Sequence, residues 1–156
     1  LRRPSEMLRQ AGADDLETVR RLTAAAYGPY VEAFGGEPLP MREDYRPRIA
    51  NREVWLLDMK DEPVGLAVLE RHADHAMLFS IAVSPDHHSR GIGRTILGWV
   101  EDKTREWELP ELRLYTNARM ERNIAIYAAS GFQETGRRPN PYRPGWVIVD
   151  MAKQIA

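Results

Sequence analysis

Residues 85 to 93, Pro-Asp-His-His-Ser-Arg-Gly-Ile-Gly, set Gly91 and Gly93 one residue apart behind a polar, basic loop. The run before them, Met77 to Val83, is almost continuously apolar and suits a strand buried on both faces. Pro85 cannot donate to a sheet ladder, so the strand should stop there. After the glycines, Ile92, Ile96, Trp99 or Val100, and Trp107 recur at helical spacing. A strand, a glycine loop and a helix in that order aim unpaired backbone N–H groups and a helix dipole at one spot. The chemistry this favours is the binding of an anion such as a phosphate. The third glycine of a G-x-G-x-x-G turn is missing, since Ile96 stands there, and Gly93-Arg94-Thr95 lacks the earlier glycine of a Walker loop. Two glycines alone fit a plain tight turn equally well. The histidines raise a metal reading, with His72 and His75 three apart and His87 beside His88. Metal ligands usually converge with cysteine or carboxylate help, so these read as solvated turn residues and no metal is expected.

The totals bound the classes open to the chain. Its 156 residues suffice for one domain, 1–156, with a closed core. Of these, 43% are hydrophobic and 29% charged, the balance of a soluble globular protein. A net charge of −1 gives no general pull toward nucleic acid or an anionic membrane, so a basic site has to be local. There are no cysteines, which removes disulfides, a cysteine nucleophile and thiolate metal sites and is compatible with a reducing cytoplasm. No run approaches the ~18 apolar residues of a membrane span, and no apolar signal core opens the chain. The expectation is a cytoplasmic protein.

Several elements must position the glycine loop. Residues 1 to 6 read as a frayed start and Met7 to Ala11 as a short edge strand. Asp14 and Glu17 form a capping-box pattern ahead of a helix with Leu16, Val19, Leu22 or Thr23, and Ala26 as its apolar stripe. Gly28-Pro29 should end it near Tyr27. Tyr30 to Met41, with Gly35-Gly36, Pro38 and Pro40, reads as a loop with little regular structure. A weaker helix over Arg42 to Asn51 is limited by Pro47. Tyr27, Tyr30, Phe34 and Tyr45 either anchor this region to the core or wall a substrate pocket. Glu53–Asp58 and Val64–Glu70 form a hairpin and, with the buried strand, an antiparallel meander. Pro110 marks the end of the long helix. Leu112 to Thr116 alternates as a strand, and its helical link to Met77–Val83 favours parallel pairing through a right-handed crossover. Arg119 to Ser130 is helical, Gly131 closes it, Phe132 opens a strand, Pro139 to Gly145 is a loop, and Trp146 to Met151 is a final antiparallel strand. The sheet is therefore mixed, with helices packed on it.

Val83-Ser-Pro-Asp-His-His-Ser-Arg-Gly-Ile-Gly resembles the acyl-CoA-binding motif of the GCN5-related N-acetyltransferase (GNAT) superfamily: Val-x-Pro, a polar gap, then Gln/Arg-x-x-Gly-x-Gly/Ala. Asn123-Ile-Ala-Ile-Tyr127-Ala-Ala-Ser-Gly131-Phe132 resembles its second signature, Asn/Ala-Ile-x-x-Tyr-x-x-x-Gly-Phe. Together they are specific, and they span roughly residues 75 to 136. The resemblance implies an α/β (α+β) fold. Its sheet is mixed and mostly antiparallel, of six to seven strands, with helices on both faces and a splayed parallel pair in the middle.

It also implies a site for acetyl-CoA as cosubstrate. Backbone groups of Ile81, Ala82 and Val83 would bond the pantetheine arm like an added strand. The N–H groups of His88, Ser89, Arg90, Gly91, Ile92 and Gly93 would cradle the pyrophosphate. Arg90 and Arg94 would add charge-assisted contacts, and Asn123 would hold the arm. Tyr127 would be the general acid that protonates the departing thiolate, with a core aromatic as its plain alternative. The implied activity is N-acetyl transfer by direct attack of a primary amine of a small molecule or peptide, with a strand N–H stabilising the oxyanion. Dimers are frequent among similar proteins, so a homodimer belongs to the same expectation. Three residues depart from the pattern. His88 replaces Gln or Arg, and Glu108 replaces a helix-ending glycine. Phe79 or Ser80 stands where many relatives carry a carboxylate that takes the amine proton. Water, Glu32, Glu70 and His72 stay open as substitutes. A catalytically silent acyl-CoA-binding module and a transferase of another acyl group remain alternatives. Arg137, Arg138 and Arg143 either attract a carboxylate on the acceptor or form a solvated basic loop.

Overall fold

The computed structural model describes residues 7–155, and of residues 88–90 the backbone alone. The frayed start expected over residues 1 to 6 lies outside the described residues. Seven strands form one sheet in the order β1-β2-β3-β4-β5-β7-β6, namely β1 (Arg9–Gln10), β2 (Val54–Met59), β3 (Glu62–Arg71), β4 (Ala76–Val83), β5 (Glu111–Asn117), β6 (Gln133–Pro139) and β7 (Val147–Gln154). All neighbouring pairs are antiparallel except β4 and β5, which run parallel. The expected mixed, mostly antiparallel sheet is thus observed. Lys60 and Asp61, both at positive φ, make the tight turn between β2 and β3.

Six helices accompany the sheet: α1 (Leu16–Tyr27), α2 (Pro29–Phe34), α3 (Leu39–Arg42), α4 (Tyr45–Ala50), α5 (Ile92–Glu106) and α6 (Glu121–Ala129). Alternating side chains of the central strands divide between two cores. Val19 and Leu22 of α1 and Tyr45 and Ile49 of α4 pack on Val54, Leu56, Leu66, Val68 and Phe79. On the other face, Ile96, Trp99 and Val100 of α5 pack on Trp55, Ala67, Leu69, Leu78, Leu112 and Leu114. Helices therefore cover both faces, and the site lies where the covered sheet opens.

Two local expectations change. The reciprocal cap precedes α1 and uses Asp15, whose carboxylate accepts from the Gly12 N–H at 2.7 Å while its own N–H donates to the Gly12 carbonyl. Gly28 does not open a loop. It stays helical at φ −51°, and Pro29 begins α2, because proline at a first helical position loses no hydrogen bond. The 30–41 segment therefore holds α2 and α3 in place of an irregular loop. Pro47 is tolerated for the same reason, in the first turn of a helix whose cap, Asp44, accepts from the Arg46 N–H.

At the end of α5, Glu108 takes φ +59°, and the Leu109 N–H returns to the Thr104 carbonyl at 3.2 Å. This is the left-handed closure at which glycine is at ease and a residue with a Cβ is strained. Glu108→Gly is expected to stabilise the fold by about 0.5 kcal/mol, the relief of strain exceeding the added freedom of the unfolded chain. Chemical denaturation would register it as a higher midpoint at unchanged slope.

Candidate active site

The parallel pairing of β4 and β5 covers only Ala76–Leu112, Met77–Arg113 and Leu78–Leu114, although both strands continue. The cause is a bulge. On β3, Leu69 faces Leu78 and Val68 faces Ser80, which leaves Phe79 as an extra residue. Leu78 points into the α5-side core and Phe79 into the α1-side core. Ser80 turns to the α1 side as well, its hydroxyl 3.1 Å from that of Tyr27. Two successive side chains on one face bend β4 away from β5. Beyond the bulge, the Ser84 N–H bonds the Val64 carbonyl at 2.8 Å. By the alternation of an antiparallel ladder, Ala82 is then bonded to β3, while the backbones of Ile81 and Val83 face the gap. The Ile81 carbonyl accepts from the Tyr27 hydroxyl at 3.2 Å. Of the three residues expected to meet an extended ligand, Ile81 and Val83 turn their backbones toward the gap and line the chamber beyond it, while Ala82 bonds to β3.

Two chambers meet at this gap. The one toward α5 has a volume of about 230 Å³ and is lined by Ile81, Val83, Gly93, Leu97, Asn123 and Tyr127, among others. The first N–H groups of α5, on Ile92, Gly93 and Arg94, have no acceptor within the helix, and the N-cap Gly91, at φ +72°, supplies no capping side chain. A Cβ on Gly93 would meet nothing closer than Val83 at 3.9 Å, so the missing side chain leaves open space in the chamber. Ile92 is buried and offers only its backbone. Arg94 is exposed and has no ion pair among the described residues. The side chains of His88, Ser89 and Arg90 lie outside the described residues, while their backbone continues a 3₁₀ turn from Pro85 to Arg90. Arg122, on α6, adds a cation to this chamber. The N-terminus of α5, the Arg122 cation and an open floor at Gly93 fit an anionic group followed by an extended arm.

The second chamber, about 90 Å³, lies on the other side of the gap. Phe79 and Ser80 of the bulge, Tyr115 to Asn117 of β5, Pro38 to Pro40, Asn140 and Trp146 enclose it. Tyr27, Met120, Asn123 and Tyr127 line both chambers. The Tyr127 ring packs edge-on against Phe132 at 5.7 Å, so it is a core aromatic as well as a site residue. Its hydroxyl has no hydrogen-bond partner among the described residues. Burial pushes that hydroxyl well above the ordinary tyrosine range, and the neighbouring Tyr27 adds to the effect. Tyr127 is thus held protonated at neutral pH.

None of the three side chains considered as proton acceptors lines either chamber. Glu32 is exposed on α2. Glu70 accepts from Arg48 at 2.9 Å and pairs with His72 at 2.7 Å. Burial works to raise its carboxyl, but the bonds from Arg48 and His72 prevail and hold it low. Arg48 also bonds Glu43 and Glu53, and its guanidinium lies 3.9 Å over the Phe79 ring. Phe79 is therefore a chamber wall backed by a cation. Among the described residues, no Asp, Glu, His or Lys lines either chamber. The basic loop divides as well: Arg137 pairs with Glu134, Arg138 with Asp150, and Arg143 stacks on Trp146 at 4.4 Å. Sequence reading missed Arg122, which lines the same chamber as Asn123 and Ile126 of α6. It also missed Trp146 and Asn140, which reach the chamber only through the pairing of β7 with β5.

Comparison with known proteins agrees with this geometry. Over 86 residues the chain is 35% identical to the [ribosomal protein bS18]-alanine N-acetyltransferase of Salmonella typhimurium, a match covering 55% of this chain and 58% of that relative. The chain thus spans less than two thirds of that relative's length. The solved structure of the ribosomal-protein-S18-alanine N-acetyltransferase from Escherichia coli superposes with a TM-score of 0.77 at 22% identity, covering 96% of this chain and 93% of that one. Arabidopsis thaliana Naa50, solved with the bisubstrate analogue CoA-Ac-MVNAL, gives 0.74 at 21% identity, covering 94% and 96%. Residues 16–132 match the model of the acetyltransferase (GNAT) family, and the chain belongs to that family.

Proposed function

We propose that the chain is an N-acetyltransferase that transfers the acetyl group of acetyl-CoA to a primary amine of a peptide or small molecule. The observation that carries this reading is the bulged gap between β4 and β5, with a donor-rich chamber on one side, an enclosed apolar chamber on the other, and Tyr127 shared by both. The names of the relatives support it, since they are N-acetyltransferases and one was solved with a CoA–acetyl–peptide analogue. When bound, acetyl-CoA supplies an acetyl group activated as a thioester. The N–H groups at the start of α5, with Arg94 and Arg122, bind and orient its phosphates. His88, Ser89 and Arg90 belong to the same cradle in this reading. Ile81 and Val83 receive the pantetheine arm as an added strand, Asn123 steadies it, and a backbone N–H of the bulged strand faces the carbonyl oxygen. Tyr127 gives a proton to the sulfur as it leaves. The same reading takes residues 1–156 as one domain, and a chain without cysteines suits the cytoplasm, the compartment we assign to it.

The lack of a carboxylate at the chambers among the described residues favours one second reading, a CoA-binding module without turnover. Following CoA release over a panel of amines separates the two, because a module binds CoA and releases none above background. Under the transferase reading, Tyr127→Phe is expected to lower kcat by about 100-fold, the lower range for a general acid, with CoA affinity within about twofold. An unchanged kcat, with chemistry shown to be rate-limiting, would remove the acid role. Gly93→Val places a side chain in open space on a helix where valine is no worse than glycine. The melting temperature should hold while the KM for acetyl-CoA rises about tenfold or more, a separation that steady-state kinetics and calorimetry would show together.

A further inference from the structure

We propose that the chain carries a second ligand site, for a small organic anion in which a flat ring bears a phosphate or carboxylate group. It lies apart from the two chambers and shares no lining residue with them. Its place is the far end of α5, where Lys103 stands ten residues beyond Gly93, about 15 Å along the helix. There the last turns of α5 meet the start of β2, the end of β3 and the residues around β1. The pocket they enclose has a volume of about 590 Å³, within the roughly 300–1,000 Å³ of small-molecule sites.

The floor of this pocket is apolar and aromatic. Leu8, Trp55 and Leu69 belong to the α5-side core, and Trp107 packs against that core while staying partly exposed. The Trp55 and Trp107 rings lie 6.0 Å apart at 52°, and their indole N–H groups donate to nothing among the described residues. Three cations stand around the floor. Arg71, at the end of β3, holds its guanidinium 5.2 Å from the centre of the Trp107 ring. The Lys103 ammonium lies 5.5 Å from that of Trp99. Arg52 is exposed in the turn before β2.

These cations are short of counter-charge. Arg52 and Arg71 make no ion pair among the described residues, whereas Arg9 holds Asp15 and Asp58, and Arg48 holds Glu43, Glu53 and Glu70. Lys103 has Glu106 at 3.3 Å. Among the described residues one carboxylate lines the pocket, that of Glu53. It is engaged by Arg48 at 3.0 Å, and burial pushes its carboxyl above the ordinary range. The local balance is therefore positive in a chain whose net charge is −1. Like charges held around an apolar floor repel one another, and an anion set between them relieves that repulsion. The side-chain amides of Gln10 and Asn51, exposed at the same rim, make no hydrogen bond among the described residues and add donors. A guanidinium meets a phosphate or carboxylate with two parallel bonds, and the tryptophans offer a flat ring its contact. A polynucleotide tracks cations strung along a groove, whereas these ring a single pocket.

The test is calorimetric titration of the full chain with naphthyl phosphate and indole-3-acetate, while the NMR signals of the Trp55 and Trp107 indole N–H groups locate the ligand. At least one of the two anions should bind one to one and shift both signals, and the tighter of them tells phosphate from carboxylate. Inorganic phosphate, which lacks the ring, and naphthol, which lacks the anion, should each bind about tenfold more weakly or worse. Arg52→Gly and Arg71→Thr should each weaken binding by about fivefold or more. At φ +61° glycine is at ease in place of Arg52, so that variant keeps its fold. Arg71→Lys retains the charge and should recover part of the loss. Arg122→Ser, which removes the cation of the α5-side chamber, should leave binding unchanged. Binding that Arg52→Gly and Arg71→Thr do not weaken, or that Arg122→Ser removes, would overturn the proposal. So would the failure of both anions at millimolar concentration, including the case in which polyuridylic acid shifts the two indole signals and neither small anion does.

Discussion

Neighbouring strands of a sheet stay about 4.8 Å apart, and at that spacing nothing but their own hydrogen bonds fits between them. The site therefore depends on breaking one strand pair without losing the sheet. Phe79 does this by being one residue too many opposite Val68 and Leu69. The break is held from both sides. The Phe79 ring is fixed between Arg48, 3.9 Å from its centroid, and Tyr115 at 6.4 Å. Ser80 and the Ile81 carbonyl are tied to the Tyr27 hydroxyl. Tyr27 ends α1, whose Val19 and Leu22 are fully packed in the core, so the anchor does not drift. β5 meanwhile stays in register with β7 along its whole length, from Glu111–Gln154 to Asn117–Ile148. One strand bends and its neighbour remains straight, which makes an opening rather than a disordered edge.

The two sides of that opening differ in electrostatics for reasons that lie in the elements around it. On the α5 side, the N-terminus of α5 and Arg122 give a positive field. On the other side, the carboxylates gathered around Arg48 are spent elsewhere. Arg48 takes Glu43, Glu53 and Glu70 together, behind the Phe79 wall. That cluster ties α4 to the start of β2 and to β3 and holds its negative charge behind the Phe79 ring. A polar network and an apolar wall thus form one construction, joined through the guanidinium face on the aromatic ring.

Much of the fold was legible because its signals are local. The α5 stripe, a polar turn within Met59 to Pro63 and the strand end at Pro85 each follow from the residues that compose them. The same holds for Gly91 and Gly93, where backbone conformation and open space matter more than partners. The 28–42 segment was not legible, since Gly28 and Pro29 allow either a break or a fresh helix, and the choice is made by Tyr30 and Phe34 packing toward Trp146. The direction in which the Ala82 backbone turns was not legible for a related reason. Its residue type suits the gap, but the pairing of Ser84 with Val64 decides which backbones turn toward β3. Asn140, Trp146 and Arg122 entered the site through tertiary neighbours, and no local pattern announces those.

In the proposed reaction, the lack of a carboxylate at the chambers among the described residues changes what Tyr127 has to do. A tyrosine whose hydroxyl is driven upward by burial is a weak acid, and it gives up a proton only to a centre that is becoming strongly basic. A sulfur carrying the electron pair of a breaking C–S bond is such a centre. The tyrosinate left behind is, for the same reason, a strong base held in an apolar slot. The nitrogen that has just formed its bond is then the acidic group beside it. Proton loss from nitrogen and proton gain by sulfur can therefore pass through one hydroxyl, which ends the cycle as it began, and no second ionisable residue is needed. Tyr127 lines both chambers, which is the placement such a relay requires. In the proposed reaction a neutral acceptor, a chamber without charged side chains among the described residues and a protonated Tyr127 are parts of one arrangement, which together does without a carboxylate.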